Sequence, residues 1–411
     1  VDYETPPEVP PPSDLPEDPA EIASERRGGR ARERRERRRE QRTSMVRPRM
    51  PEGYRPQLRP AGGFKVPEVR LPENRMLLYI AGAVIIVLGV LYVLGQITGS
   101  AQVVQTPPNA LWLGTELTYG LDEDATVAEL VQQLRDHRIG TVYAWVSWLK
   151  EDMAWGGWQD GTNEFSEMEP RVRAFVEEFK ALYPEAILYG WVSLPVDLHD
   201  MNDAEVRTAV SEFSRRVVQE MNFDGVFLNI EPVWNNDTSF LGLLGDVRST
   251  IGANTLISVA IPPDWSPIGA GIPVPPLIVP GTVWDERYKQ SVALLVDELA
   301  VMAYNSGLTN AADYTEWVAY QVETYANAIA ALDTGAGAGA HIMIGVPTYE
   351  AELPGHDPAV ENVTSAAQGL RLGLEQAGSN ASYVRGAAIY AAWETDQTEW
   401  NQFRQAWVAN Q

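Results

Sequence analysis

The stretch Phe223-Asp224-Gly225-Val226-Phe227-Leu228-Asn229-Ile230-Glu231-Pro232 carries a strand pattern that ends in a carboxylate. Side chains of a strand alternate between two faces. Val226, Leu228 and Ile230 share one face and suit packing under helices, whereas Phe227, Asn229 and Glu231 share the other. An amide and a carboxylate on an otherwise apolar strand need a reason, because a buried ionised carboxylate is costly unless it is paired or used. Asp224-Gly225 marks the turn into the strand and Pro232 stops it. The chemistry on offer is proton donation or abstraction by Glu231, beside an Asn229 that can donate or accept a hydrogen bond but carries no charge.

Such a tip needs a scaffold that gathers strand ends. From Leu111 onward, short apolar runs alternate with amphipathic segments. Strands are predicted at 111–116, 140–147, 186–193, 224–231, 255–261, 298–304, 341–347 and 386–393. Helices are predicted at 126–138, 168–183, 203–221, 239–252, 286–297, 312–332, 363–377 and 396–409; in 203–221, Asp203 or Asn202 caps a row of Val206, Val210, Phe213, Val217 and Met221. Eight strands alternating with eight helices predict an α/β fold, a (β/α)8 TIM barrel over 110–411. A doubly wound open sheet is the runner-up. It would be favoured by a Gly-rich phosphate loop after the first strand, and GTELTYG is not one. The Gly/Ala run 335–340 reads as a turn.

In a barrel the C-terminal strand ends meet at one mouth. There the sequence supplies Glu116, Trp145, Trp191, Trp234, Asp264, Asn305, Tyr304, Tyr349 and Trp393 around Asn229 and Glu231. Flat aromatic faces stack on the C–H faces of sugars, and carboxylates bind hydroxyls or move protons. Taken singly, a loop Trp is more often packing and an exposed Glu a solvated charge; their joint occurrence at one end points to a carbohydrate. Asp197, His199 and Asp200 lack the i, i+4 spacing of a helical zinc site, and no metal or other cofactor is expected. His137 and His356 read as surface residues and His341 as the start of a strand. No Gly-x-Ser-x-Gly elbow is present, so serine hydrolysis has no motif behind it.

The sequence resembles glycoside hydrolase family 18, the chitinase and endo-N-acetylglucosaminidase group, over roughly 111–409. The family's strand-four pattern DGxDxDxE reads here Asp224-Gly225-Val226-Phe227-Leu228-Asn229-Ile230-Glu231. The strand-six pattern Met-x-Tyr-Asp/Asn reads Met302-Ala303-Tyr304-Asn305, and Trp393 would be the strand-eight tryptophan. The resemblance implies that Glu231 protonates the glycosidic oxygen while the substrate's own 2-acetamido carbonyl is the nucleophile, an exception to the two-carboxylate scheme. It implies that Asn229 orients the acetamido group, helped by Tyr304, and that the remaining mouth residues bind substrate. Two positions depart from the pattern. Phe227 and Asn229 stand where the family has aspartates, so a buried acidic relay is missing. Losing such a charge partner typically costs about 3 kcal/mol, on the order of a hundredfold in rate. A glycosidase, a glycan-binding barrel with little turnover, and a surface scaffold without a sugar role are therefore all compatible with the sequence.

The chain has 411 residues, enough for one large domain with extra segments, and no cysteine, which excludes disulfides, thiolate metal sites and a cysteine nucleophile. The formal charge of -24 is uneven. Residues 98–411 hold 15 Lys/Arg and 42 Asp/Glu, residues 1–97 hold 17 and 14. The acidic part should repel nucleic acid, and none is expected as a partner. Residues 1–75 read as a disordered tail with an Arg-dense run and a Pro-rich linker. Residues 76–97 open with MLLYIAGAVIIVLGVLYVLG, twenty residues without a charge, the length of a bilayer's hydrocarbon core. Residues 98–109 form a tether. Arg59, Lys65, Arg70 and Arg75 precede the apolar run and no Lys or Arg follows until Arg135, which predicts a cytoplasmic N-terminus, a single span and an extracytoplasmic barrel.

Overall fold

The computed structural model describes residues 106–411 apart from 122–124, 158–163, 267–268, 333–338 and 350–355. All of these lie within one compact unit, Gly89–Gln411. The tail 1–75, the predicted membrane segment 76–97, the first part of the tether and most of the Gly/Ala run fall outside the described residues. Among the described residues no helix is long and apolar enough to cross a membrane.

The strands, in chain order, are β1 (Asn109–Leu113), β2 (Ile139–Leu149), β3 (Trp155–Gly156), β4 (Ile187–Pro195), β5 (Gly225–Glu231), β6 (Leu256–Ile261), β7 (Glu298–Val301), β8 (His341–Pro347) and β9 (Val384–Tyr390). Apart from β3, which folds back antiparallel on β2, each pairs in parallel with the next, and β1 pairs with both β2 and β9 to close the barrel. The helices are α1 (Thr115–Thr118), α2 (Val127–Asp136), α3 (Phe165–Leu182), α4 (Ala204–Gln219), α5 (Thr238–Ile251), α6 (Glu286–Ala293), α7 (Ala311–Ala330), α8 (Val363–Ala377) and α9 (Gln397–Ala406). Every strand and helix predicted for 110–411 is present, and the predicted (β/α)8 barrel is the observed architecture. The short β3 and α1 are additions.

Three strands end earlier than expected. Glu116 belongs to α1 rather than to the end of β1. Tyr304 lies beyond β7 and Trp393 beyond β9. After Val301 the backbone leaves the ladder because the amides of Ala303 and Tyr304 bond to carbonyls two residues back, Val301 and Met302, each at 2.9 Å. Turns of this kind swing tip residues over the mouth. Seven of the nine α-helices among the described residues, all but α1 and α3, begin at an Asp, Asn or Thr whose side chain accepts from the first turn: Thr126, Asp203, Asp237, Asp285, Asn310, Asn362 and Asp396. Each such cap contributes about 1 kcal/mol.

Inside the barrel the side chains form layers. At the floor Glu298, buried at the start of β7, accepts from Tyr143 Oη at 2.7 Å and Ser258 Oγ at 2.9 Å. Burial pushes the Glu298 carboxyl up, against the opposing pull of Arg385. Above it Phe227 stacks on Tyr143, ring centroids 4.3 Å apart, and meets Trp112 edge-on at 5.8 Å. Phe227 is 0% exposed. The residue that departs from the acidic pattern is thus the centre of an aromatic plug. Val226, Leu228 and Ile230 are buried on the opposite face of β5, as the alternation requires.

Candidate active site at the barrel mouth

β5 raises its inward face step by step, from Phe227 in the plug to Asn229 and then Glu231 at the rim. The register with β4 fixes their neighbours: Trp191 lies beside Phe227, Ser193 beside Asn229 and Pro195 beside Glu231. Asn229 is half-buried and its side chain hydrogen-bonds the Glu231 carboxylate. Glu231 remains open to solvent, yet it stands in a recess where surrounding protein displaces much of its hydration. Loss of hydration pushes its pKa up from the usual carboxylate range, and the Asn229 hydrogen bond opposes this. A carboxyl held neutral to higher pH and reachable from solvent is suited to donate a proton.

Two tyrosines face the acid. Tyr304, just past β7, stacks on Tyr390 at the tip of β9, with centroids 4.8 Å apart and planes 14° from parallel. Burial raises the Tyr304 hydroxyl far above its ordinary value, with Tyr390 and Glu231 adding to the effect. Burial likewise pushes Tyr390 to about 12, assisted by the charges of Glu231 and Glu394. Both hydroxyls stay protonated at neutral pH and can serve as donors. Tyr349 meets both rings edge-on, at 6.1 Å from Tyr304 and 6.0 Å from Tyr390. Across the mouth Trp393 stacks loosely on Trp191 at 6.4 Å and meets Tyr390 edge-on at 5.7 Å. Glu116 joins this side: a Cβ on Gly114 would lie 2.5 Å from Glu116 Oε2 and 2.9 Å from the Trp393 ring, so both press on one point.

Of the residues read from the sequence, the fold therefore gathers Glu231, Asn229, Tyr304, Tyr349, Trp191, Trp393 and Glu116. Trp234 stands on the rim three residues past Glu231, 50% exposed, with its ring against Gly281. Asn305 is exposed, with backbone in the left-handed region at φ 55°.

Two expectations need correction. Trp145 is only 2% exposed and its indole N–H is spent on Tyr119 Oη and the Gly157 carbonyl. It underlies Trp191, edge-on at 4.9 Å, and offers no face to a ligand. Asp264 is 4% exposed and forms a buried ion pair with Lys289, braced by Thr324 Oγ1 at 3.1 Å. It ties β6 to α6 and α7 and does not reach the mouth. Two histidines expected at the surface are buried instead, whereas His341 starts β8 as expected. His137 is buried against Trp400 at 4.6 Å, and His356 is buried between Glu361 and Tyr349. His199 contacts the Leu149 carbonyl at 3.1 Å. Among the described residues no cluster of three or more His, Asp or Glu could hold a metal ion.

Tyr390 was not singled out from the sequence. Its signal was present but faint: in Gly386-Ala387-Ala388-Ile389-Tyr390 the alternation puts one large polar ring on the face of Ala388, pointing where small residues leave room. Two clefts lie away from the acid. One of about 540 Å³ runs between α6 and α7 around Asp264 and Lys289, and another of about 610 Å³ lies where α7, α8 and α9 begin. Neither is lined by Glu231. The mouth is singled out by its chemistry rather than by an enclosed volume.

The chain matches no protein-family model and none of the curated proteins. Solved structures similar to it include a class V chitinase from Pseudomonas fluorescens Pf-5, 14% identical, covering 73% of this chain and 99% of that one at a TM-score of 0.47. A Group IV chitinase from Ostrinia furnacalis is 13% identical and covers 73% and 99% at 0.46. The spore cortex-lytic enzyme SleL of Bacillus megaterium QM B1551 is 10% identical and covers 73% of each chain at 0.43. Over the 73% of the chain that these structures cover, it is similar in architecture to chitinases and to a cortex-lytic enzyme.

Proposed function

We propose that the barrel is a glycosidase that hydrolyses an N-acetylhexosamine-containing glycan, with Glu231 as the general acid. The observation that carries the reading is the state of Glu231: solvent-reachable at a strand tip, raised in pKa by lost hydration, held by Asn229 and faced by Tyr304 and Tyr390. In this reading Asn229 and Tyr304 orient an acetamido group above the acid, and Trp393 and Tyr390, backed by the buried Trp191, supply aromatic surface for the sugar ring. The uncharged apolar run within 76–97 and the basic residues that precede it support anchoring of the barrel to a membrane as a single span, with the barrel on the extracytoplasmic side.

The test is hydrolysis of N-acetylglucosamine oligosaccharides and of cell-envelope glycan by the wild type and by Glu231→Gln. The variant should lose activity by a thousandfold or more, in line with removal of a general acid together with its charge, roughly 10²–10⁴-fold for acid–base catalysis alone, and should bind the same oligosaccharides with little change. Activity that survives the substitution rejects the role. A second reading, a glycan-binding barrel with little turnover, is favoured by one observation. Behind Glu231 stand a neutral Asn229 and a fully buried Phe227, with no carboxylate relay. Asn229→Asp separates the two. A gain on the order of a hundredfold would mark Asn229 as a weakened catalytic position; an unchanged or lower rate would leave Asn229 as the working residue of an active enzyme.

A further inference from the structure

Glu361 lies in the loop leading into α8 and is 1% exposed. One of its oxygens, Oε1, accepts from the amides of Ser306 at 2.8 Å and Gly307 at 3.2 Å and from the Ser306 hydroxyl. The other, Oε2, accepts from the Asn305 amide at 2.6 Å and lies 3.3 Å from His356 Nδ1. His356 Nε2 is 3.0 Å from the Tyr349 carbonyl, and the imidazole packs on the Tyr349 ring at 4.0 Å. Three consecutive amides converging on one carboxylate form an anion-holding turn. That turn begins at the residue after Tyr304. Asn305 there has φ 55° and Gly307 has φ 74°, left-handed conformations that suit Asn and Gly better than other residues. The carboxylate that the turn surrounds comes from a loop more than fifty residues later in the chain.

We propose that Glu361, relayed by His356, is a positioning residue that locks the loop after β7 to the loop after β8, and so sets where Tyr304 and Tyr349 stand around Glu231. Without the carboxylate, the amides of Asn305, Ser306 and Gly307 lose the acceptor on which they converge, and ring contacts at the mouth do not replace it. The kinetic consequence rests on the glycosidase reading; the mechanical link between the loops does not.

Two measurements on the intact chain test it. The first is hydrogen exchange of wild type, Glu361→Gln and His356→Ala. Glutamine keeps the size of Glu361 but turns one acceptor oxygen into a donor, so one side of the clamp fails. Amides 305–307 should exchange at least about tenfold faster in both variants, while β7 keeps its protection. His356 touches none of those amides, so its effect reports the relay. Unchanged exchange at 305–307 in either variant, or protection lost throughout β7, overturns the proposal. The second is kinetics well below the melting temperature. Glu361→Gln should lower kcat by on the order of tenfold to a hundredfold with a smaller change in KM, as misplacement of positioned groups does. Glu298→Gln, at the barrel floor, is the control for lost stability alone and should leave kcat near wild type. Equal kcat losses in the two variants overturn the proposal. A wild type without hydrolysis refutes the glycosidase reading instead, and the exchange result then decides the loop lock by itself.

Discussion

Glu231 works against two opposing influences, lost hydration that favours its neutral form and the Asn229 hydrogen bond that favours its charged form. The acid must be protonated to act, so kcat should be full at low pH and fall as pH rises through the raised pKa of Glu231. Asn229→Ala removes the only influence that opposes the rise. The high-pH limb of the kcat profile should therefore move to higher pH, even though the rate itself drops by roughly tenfold or more with loss of the orienting group. A limb that stays in place, or moves down, would mean that another group sets it. Glu231 and Asn229 were legible because their polarity violates the apolar pattern of β5. Glu361 and His356 were not, because a loop has no periodicity to violate, and a carboxylate that satisfies distant amides looks like any solvated one. Asp264 misled for the same reason: its partner Lys289 lies 25 residues away on a helix, and only the fold brings them together.

Among the elements, the β6–α6–α7 joint depends on that pair. Asp264 accepts from Lys289 and Thr324, its carbonyl accepts from Trp317 Nε1 at 2.8 Å and Gln321 Nε2 at 3.1 Å, and its amide donates to Gln321 Oε1 at 2.6 Å. Asp264→Asn leaves a buried ammonium with no counter-charge and should cost about 3–5 kcal/mol. Replacing both partners, as Asp264→Leu with Lys289→Met, should cost much less, because no uncompensated charge remains. Thermal melts of the three proteins check this; a single variant as stable as the double would show the pair to be incidental. The existence and order of strands and helices were readable because burial imposes a period of two or 3.6 on long segments. Strand ends at Val301 and Tyr390 were not, because apolar sequence continues past them while the backbone has already turned, and past Leu113 the residues Gly114-Thr115-Glu116 give no clear stop although the chain enters α1. β3, two residues long, is too short to carry a period.

At the scale of the whole molecule, charge sets what can approach. Residues 98–411 carry 42 acidic against 15 basic side chains, and seven helix caps, six of them Asp or Asn, stand at the loop end that also holds the site. A neutral oligosaccharide should bind with an affinity nearly independent of salt. An anionic glycan should bind better as ionic strength rises from about 0.01 to 0.15 M, as screening shortens the reach of repulsion from about 30 to about 8 Å. Titrations at the two salt concentrations decide it, and weaker binding of the anionic glycan at higher salt would reveal a local basic patch that outweighs the total. The barrel itself was predictable from the alternation of elements, yet the packing of its axis was not, since Trp112, Tyr143 and Phe227 come from three separate strands. Those rings cork the channel beneath Glu231. Under the glycosidase reading, protons and water would reach Glu231 from the same opening that the sugar uses, so a seated oligosaccharide would depend on the proton already loaded on the acid.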